Sequence, residues 1–516
     1  MNQEAPDFKR LLLAVFLMTA LLMGYNALFA PKVSKELPSK EAAPTAEPIK
    51  APAPKAPVTV VPDSKIPVVE KSFTQSGYKV TFTSEGAQAK SFVLTNYETP
   101  IDLPPHWDIE SRDTGLTLFA QSRYKLASST DNSITFKKRT PENVEITRSY
   151  QLGSKPFVIN QSVEFKNLSN SAQALSLNWL TETHESKESK EEQLAVTLRV
   201  SDEQKRIPFS DLAEKSETFS GSPAYIAFDR RYFLMSLSPI DNANIESVHA
   251  SSIPSEHSKH LKLRMSEKTF ILPAKASKTY TFSSYIGPKE SKYLQEAGPY
   301  LTENLDYGWF GVLSRPLLWL LIWINQWVMN FGIAIILLTV LIKILTFPLT
   351  QKSFAAQQQM KKIAPKLKEL QKKYAHDKAA LGQQQMAFYK EEGINPMAGC
   401  LPILIQMPVW FALYQMLGNS AELFEQPFFG WITDLTRPDP YYITPILMGV
   451  SMMASQWIMP PTIDESQPQM KYVLWFMPIF LTFIMLNLPA GLSIYMLVNN
   501  LLTIGQQMYI KKRYET

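Results

Sequence analysis

The apolar and polar positions of this chain follow different patterns in its two halves. Between about residues 69 and 290, apolar and polar residues alternate in short stretches such as VEITRSYQL and KTYTFSSYI, with clusters of Gly, Asn, Ser and Pro between them. From residue 331 onward, apolar residues form long continuous runs. Alternation indicates half-buried strands, whereas apolar runs of about 20 residues indicate helices that cross a bilayer.

The alternating half predicts many short strands separated by turn residues. Strands at this spacing are typical of antiparallel β domains, so we predict a large all-β sandwich outside the membrane over residues 69–290. The segment 31–68 before it is rich in Pro, Lys and Ala, which predicts an extended linker.

The apolar runs predict six membrane spans. They are Leu11 to Ala30, Phe331 to Leu349, Met397 to Leu417, Ile443 to Met459, Tyr472 to Asn487 and Pro489 to Met508. We interpret the first, within residues 1–30, as an uncleaved anchor. A signal peptide is the alternative, but Leu28 stands where its cleavage site needs a small residue.

The segment from Tyr307 to Val328 lies directly before the second span. It carries four tryptophans: Trp309, Trp319, Trp323 and Trp327. We interpret it as a helix in the membrane interface, part of a connecting region over residues 291–330, because amphipathic rings prefer the headgroup level. The alternative is a seventh span, which would place the lysine-rich segment that follows outside the cell.

The distribution of charge predicts the orientation of the spans. Between Thr350 and Pro396 there are nine lysines against four acidic residues, whereas the loop from Gly418 to Tyr442 has one arginine against four acidic residues. By the positive-inside rule the first segment is cytoplasmic and the second is outside. Both chain termini are then cytoplasmic, with a five-span core over residues 331–510 and a basic tail over residues 511–516.

A single full charge, Lys343, lies inside the second span, and the later spans contain no Asp, Glu, Arg or Lys. A cation at a helix centre costs roughly 2.5–3.5 kcal/mol, so we expect it to face a polar cavity and not lipid. Thr339, one turn earlier, lies on the same helix face. The alternative is snorkelling, because about 9 Å separates Lys343 from Leu349 and its stem could carry the ammonium towards the cytoplasm.

The basic segment 350–395 predicts a cytoplasmic helical hairpin, because its apolar residues recur at intervals of three and four. Asp377 is the predicted cap of the second helix, which ends at Gly393. The lysines of this hairpin form a predicted contact surface: Lys361, Lys362, Lys366, Lys372 and Lys373. Charge alone does not choose between the ribosome, a targeting receptor and anionic lipid as its partner.

The sequence contains no pattern that predicts catalysis. GxSxG, HExxH, GxGD and Walker-type motifs are absent, which argues against intramembrane proteolysis and ATP hydrolysis in this chain. The closest metal-like spacing, His257 and His260, has no evident third ligand, and Cys400 is the only cysteine. We therefore predict no catalytic residues, no metal site and no cofactor.

Three long stretches resemble the YidC membrane protein insertases, which are related to the mitochondrial Oxa and chloroplast Albino proteins. They are EEGINPMAGCLPILIQMPVWFALYQML, DPYYITPILMGVSMMASQWIMP and FMPIFLTFIMLNLPAGLSIYMLVNNLLTIGQQ, and IGPKE and DYGWFGVLSRPL extend the likeness. The resemblance implies the Gram-negative form. That form is an α-helical polytopic protein of the inner membrane, with an N-terminal anchor, a five-span core, a cytoplasmic hairpin and a large all-β periplasmic sandwich domain.

The resemblance also implies roles for particular residues. In the family a positive residue of the first conserved span lines a hydrophilic groove, and Lys343 occupies that place where arginine is usual. The family's paired tyrosines of the last span stand here as Tyr495 and Met496. With the polar residues of neighbouring spans, these predict a substrate groove of Lys343, Thr339, Gln406, Tyr495, Met496 and Asn499.

The expected function is insertion and folding of nascent inner-membrane proteins, alone or with the Sec translocon. The expected partners are these nascent proteins, the Sec translocon, the ribosome, the signal-recognition-particle receptor and the lipid bilayer, and no DNA. Two other classes remain as alternatives: a small-solute transporter, which would show inverted repeats, and a structural clamp, in which Lys343 would be replaceable.

Overall fold

The computed structural model describes residues 66–97, 101–103, 106–111, 122–186, 194–241, 244–253, 258–374, 376–393, 401–458 and 468–515, all within one compact unit. The predicted anchor from Leu11 to Ala30 and the linker as far as residue 65 lie outside the described residues. His257 and Cys400 also lie outside them.

Twenty described strands build the alternating half, and the stretches VEITRSYQL and KTYTFSSYI that alternation singles out both lie in strands. The first ten are β1 (Glu70–Gln75), β2 (Tyr78–Thr83), β3 (Gln88–Leu94), β4 (Ile101–Asp102), β5 (His106–Ser111), β6 (Lys125–Ser129), β7 (Ser133–Arg139), β8 (Val144–Leu152), β9 (Val158–Asn167) and β10 (Gln173–Leu175). The others are β11 (Leu177–Ser186), β12 (Ala195–Val200), β13 (Glu203–Pro208), β14 (Glu217–Ser220), β15 (Pro223–Asp229), β16 (Phe233–Asp241), β17 (Ile245–Ile253), β18 (Ser258–Glu267), β19 (Phe270–Leu272) and β20 (Ser277–Pro288).

These strands form a nine-stranded antiparallel sheet in the order β13-β12-β15-β16-β20-β9-β8-β7-β6 and a five-stranded sheet in the order β14-β17-β18-β11-β5. A four-stranded sheet, β1-β2-β3-β4, and the pair β10-β19 complete the domain. Trp179 on β11 packs against Phe282 on β20, with 4.6 Å between ring centroids, and so joins the two large sheets. The predicted β-sandwich is confirmed.

The described helices are α1 (Phe209–Glu214), α2 (Ser291–Ala297), α3 (Gly311–Val328), α4 (Phe331–Lys373), α5 (Lys378–Glu391), α6 (Leu401–Asn419), α7 (Ile443–Ile458), α8 (Pro468–Met485) and α9 (Ala490–Glu515). Short 3-10 turns lie at Leu301–Asn304 and Ala421–Leu423. Helices α4, α6, α7, α8 and α9 correspond to the five later predicted spans. Within the described residues, the stretch 331–360 of α4 is long and apolar enough to cross a membrane, and the apolar stretches 443–458 and 475–485 are shorter.

Helix α3 has one buried face and one exposed aromatic face. Its buried residues recur at helical spacing: Ser314, Leu317, Leu318, Leu321 and Ile324. The tryptophans of the segment are exposed, with 67% of Trp319 and 76% of Trp327 accessible. A two-residue turn, Met329 and Asn330, separates α3 from α4, and Asn330 caps α4 by accepting a hydrogen bond from the Ile333 N–H. This amphipathic pattern fits the predicted interfacial helix.

Helix α4 continues without a break from the predicted span into the basic segment, although the prediction ends the span at Leu349. Pro348 lies inside the helix. Beyond it, Phe354 packs against Ile510 of α9, and both side chains are buried. Continued packing against α9 explains why the helix extends past the proline. The second helix of the hairpin, α5, has the predicted cap, because Asp377 accepts from the Ala379 and Ala380 N–H groups at 3.0 Å.

The β domain and the helical core touch through the loop that follows α6. Arg231 donates from Nε to the carbonyl of Gly418 at 2.6 Å. The ring of Phe424 packs against Tyr232 and Phe233, with centroid distances of 4.5 and 5.7 Å. This junction places the domain at one end of the helices, on the side of the acidic loop.

Candidate functional site: a polar seam between helices α4 and α9

The ammonium group of Lys343 lies between α4 and α9. Its Nζ donates to Asn499 Oδ1 at 3.1 Å and to Thr503 Oγ1 at 2.7 Å. Both acceptors are neutral oxygens on one face of α9, since four residues make about one helical turn. One full turn further along, Gln506 Nε2 donates to Thr350 Oγ1 at 2.9 Å and the pair is buried. A polar seam therefore runs along two otherwise apolar helices.

The seam borders a cavity of about 30 Å³. Its lining combines the ammonium with hydroxyl, amide and apolar groups: Ile342, Lys343, Thr346, Leu349, Thr350, Gln406, Val409, Tyr495 and Asn499. A cavity needs roughly 10–15 Å³ of such volume to hold one water molecule, so this one has room for about two. It can hydrate a charge but cannot hold a peptide unless the helices separate.

The structure brings together most of the residues predicted for the groove. Lys343, Gln406, Tyr495 and Asn499 all line the cavity. Thr339 lies outside the lining. Its side chain is buried, and its Oγ1 donates to the carbonyl of Ile335 in its own helix. Met496 is also outside the lining and packs, partly buried, against the apolar core.

Sequence reasoning missed the partners that hold the lysine. Thr503 and Gln506 are ordinary polar residues in a span, and the usual explanation of such residues is helix packing. They lie four and seven residues after Asn499, on the same helix face. This spacing is the signal that could have identified them, because Thr346 and Thr350 lie three and seven residues after Lys343 on α4.

The hydrogen bonds of Lys343 decide between the two interpretations of its position. Its ammonium points to α9 inside the bundle, and both of its acceptors belong to that helix. Among the described residues no carboxylate pairs with this ammonium, and the sequence of α9 has no Asp or Glu before Glu515. The positive charge is solvated by neutral dipoles but is not neutralised.

The side-chain pairs also fix the relative direction of the helices. Lys343 and Thr350 of α4 meet Asn499 and Gln506 of α9 in the same order along both helices. Helix α7 is parallel to α9 as well, because Ser451 pairs with Asn500 at 3.2 Å and Ser455 pairs with Gln507 at 3.0 Å. Helices α4, α7 and α9 therefore run in one direction.

The predicted lysines of the hairpin lie on the second half of α4. Lys362, Lys366, Lys372 and Lys373 are exposed, while Ile363 and Leu367 between them are buried. Lys366 pairs with Glu392 at 3.0 Å across the hairpin. Lys361 lies in the same helix, but its side chain is outside the described part of the structure.

Comparison with known proteins identifies the family. The family described as YidC periplasmic domain matches residues 72–320, and that described as 60Kd inner membrane protein matches residues 323–516. A membrane protein insertase YidC of Syntrophus aciditrophicus is 36% identical over 84% of each chain, and one of Geotalea daltonii is 31% identical over 98% of this chain and 99% of its own. The chain belongs to the YidC family of membrane protein insertases.

A solved crystal structure described as an active YidC insertase is 16% identical to this chain, with a TM-score of 0.39, and covers 85% of this chain and 93% of its own. The two family matches and the curated relatives confirm, at the level of the family, the resemblance drawn from the sequence motifs. The chain is an inner-membrane insertase with a periplasmic domain, and its family is not known for catalysis.

Proposed function

We propose that this insertase moves the short polar segment of a nascent membrane protein along the seam between α4 and α9, without hydrolysing a nucleotide itself. The observation that carries the proposal is the ammonium of Lys343, held by two neutral oxygens beside a cavity with room for about two water molecules. A charge in a low-dielectric site acts more strongly than the same charge in water, so it attracts an acidic residue of the substrate. The apolar part of the substrate then moves into lipid, driven by its own burial.

The small volume of the cavity adds a step to this mechanism. Because about 30 Å³ holds water and not peptide, the substrate enters only when α6 or α9 moves away from α4. An incoming carboxylate replaces Asn499 and Thr503 as the partner of Lys343. The two neutral acceptors keep the ammonium solvated in the resting state without competing as an anion would.

Helices α4, α7 and α9 correspond to the second, fourth and sixth predicted spans. Their shared direction supports a topology in which every span crosses the membrane, because alternate spans then point the same way. We propose that the acidic loop of residues 418–442 is periplasmic and that the hairpin and the C-terminus are cytoplasmic. Single cysteines at exposed positions Trp431 and Met386, each in a Cys400→Ser background, test this topology. An impermeant maleimide should label position 431 from the periplasm and leave position 386 unlabelled in intact cells.

The first test of the function is depletion followed by complementation. Newly made small membrane proteins should fail to enter the bilayer in depleted cells, and Lys343→Ala should slow those with acidic translocated tails most. Lys343→Arg keeps the charge and is the matched control. Equal losses for acidic and neutral tails would remove the charge-attraction step, and normal insertion without the protein would remove the proposal.

The exposed lysines of α4 support a second, separable part of the proposal, in which the hairpin contacts the ribosome or the signal-recognition-particle receptor. Co-sedimentation of the purified insertase with ribosomes should weaken in Lys372→Glu/Lys373→Glu. Charge reversal at Lys268 and Lys275 of the β domain is the control. The Sec translocon is proposed as a further partner, tested by co-purification.

A further inference from the structure

A second and larger cavity lies where the β domain meets helix α3. It measures about 400 Å³, within the roughly 300–1,000 Å³ range of ligand sites. Its walls come from α2, from the turn at Leu301–Asn304, from α3 and from the loop after α6. The groups that decide its chemistry are Arg315, Leu318, Trp319, Ile322 and Glu422.

The polar end of this cavity holds one group of each charge. The Glu422 carboxylate accepts from the backbone N–H of Ser291, and its Oε2 has no hydrogen-bond donor among the residues that the structure describes. Arg315 is exposed at the same cavity. The other lining carboxylate, Glu303, already accepts from Arg199 at 2.7 and 2.8 Å. Glu422, whose Oε2 is buried, and Arg315 are therefore the lining charges that have no charged partner among the described residues.

The apolar end of the cavity lies along α3. Arg315, Leu318, Trp319 and Ile322 are spaced at three, four and seven residues, so they form one stripe of about 10 Å that starts with a charge and ends with aliphatic groups. Trp319 is 67% exposed and stands on the tryptophan face of the helix. Tryptophans of this kind lie at the headgroup level of a bilayer, so the cavity opens at that level.

We propose that this cavity binds the headgroup of an aminophospholipid, the zwitterionic class that carries a phosphate and a primary ammonium. The planar guanidinium of Arg315 suits a phosphate, which it binds through two parallel hydrogen bonds. The ammonium donates to the carboxylate of Glu422 at the polar end of the cavity, and the acyl chains lie along the exposed ring of Trp319 and the partly buried Ile322. The lipid then fills the gap between the periplasmic domain and the interfacial helix.

The order of charges predicts selectivity among lipids. Phosphatidylglycerol offers the phosphate to Arg315 but has no cation for Glu422. Phosphatidylcholine carries a cation without N–H donors, so it cannot form the hydrogen bond to the carboxylate. Phosphatidylethanolamine satisfies both ends of the cavity and should bind about tenfold more tightly than either, the difference that one charge-assisted hydrogen bond makes.

Native mass spectrometry of the full-length insertase in detergent, titrated with each of the three lipids, tests the site. The wild type should retain one phosphatidylethanolamine in preference to the other two. Glu422→Gln keeps the acceptor for the Ser291 N–H but removes the anion, and Arg315→Gln removes the phosphate contact. Each should lower retention about tenfold, while Glu296→Gln on α2 and Arg437→Gln in the loop, which do not line the cavity, should not.

Three results would overturn the proposal. They are equal retention of the three lipids by the wild type, the same retention in Glu422→Gln and Glu296→Gln, and a peptide or a non-lipid anion as the occupant. The site is independent of the seam at Lys343. The insertion assay with Lys343→Ala and the lipid titration therefore test two separate proposals, and either can fail without the other.

Discussion

Two lysines of this insertase lie inside the protein and are held in opposite ways. In the β domain, Lys289 is buried and its Nζ donates to Asp229 Oδ1 at 2.8 Å, while Arg206 binds the other oxygen of the same carboxylate at 3.0 Å. In the helical core, the partners of Lys343 within the described residues are the neutral oxygens of Asn499 and Thr503. The first charge is matched by an anion and serves the fold, whereas the second remains available to a substrate.

This difference follows from the cost of burying charge. A buried ion pair is stable only when both partners are present, because removing one leaves an uncompensated charge. A lysine solvated by hydroxyl and amide groups leaves no anion behind when it is replaced. Replacing the lysine should therefore destabilise the β domain but leave the stability of the helical core almost unchanged.

The largest expected effect on stability is that of Lys289→Met. The substitution leaves Asp229 with Arg206 alone and should lower the free energy of unfolding of the β domain by about 3 kcal/mol. Hydrogen exchange of β15 and β20 in the full-length protein measures this change. Lys268→Met, at an exposed site, is the control. A loss no larger than that of the control would contradict the structural role of Lys289.

Lys343→Met should leave the stability of the core within about 1 kcal/mol of the wild type, because no carboxylate loses its partner. The rate of insertion of acidic-tailed substrates should nevertheless fall about five- to tenfold. Two opposite unit charges 4 Å apart attract each other by about 1 kcal/mol even in water, and this attraction is lost. Parallel measurements of unfolding and insertion separate the two effects. Unfolding of the core in this variant would show that Lys343 is structural, like Lys289.

Thr503→Val sharpens the comparison, since it removes the shorter hydrogen bond of Lys343. It should cost about 1 kcal/mol more core stability in the wild type than in a Lys343→Met background, where only the bond from Thr503 to the Asn499 carbonyl is lost. Thr339→Val is the matched control, because Thr339 bonds its own helix and should behave identically in both backgrounds. A double-mutant cycle with no coupling between positions 343 and 503 would contradict the seam.

The last expected effect is a dependence on pH, and it comes from Glu290 beside the junction of the β domain and the helical core. Burial, aided by the charge of Glu422 and opposed by Lys292, raises the pKa of Glu290 from 4.5 to about 7. The unfolded chain ionises this group at lower pH than the folded protein does, so stability should fall as pH rises from about 5 to 7. Thermal unfolding of Glu290→Gln should show a flatter pH profile than the exposed control Glu296→Gln. Identical pH profiles for the two variants would contradict a contribution of Glu290 to the pH dependence of stability.

The strands and the helical runs were predictable because each depends on a local period. Residues such as Trp179 and Phe282 stand at alternating positions that identify the buried face before any sheet is known. The continuous α4 was not predictable, because Pro348 is a local signal for a break and its compensation, the packing of Phe354 on Ile510, comes from a distant part of the chain.

The sequence was sufficient to identify the charged residue of the site, but not the contacts that hold it. Lys343 was identified by its cost in a span, and Asn499 by its polarity. The role of Thr503 depends on a contact across 160 positions, which no local pattern reports. Thr339 shares the face of Lys343 but is buried one turn away from the cavity, and that packing is not visible in the helical spacing. The cavity at Glu422 arises only when four separate segments meet.

Chemical rescue at position 343 tests the central claim, that a water-accessible positive charge in the seam attracts acidic segments. Lys343→Cys in a Cys400→Ser background should insert acidic-tailed substrates poorly and should react with small water-soluble methanethiosulfonates. A reagent that adds an ammonium should restore insertion, and one that adds a sulfonate should lower it further, with little effect on neutral tails. Failure of the cysteine to react, or equal effects of the two reagents, would contradict the account.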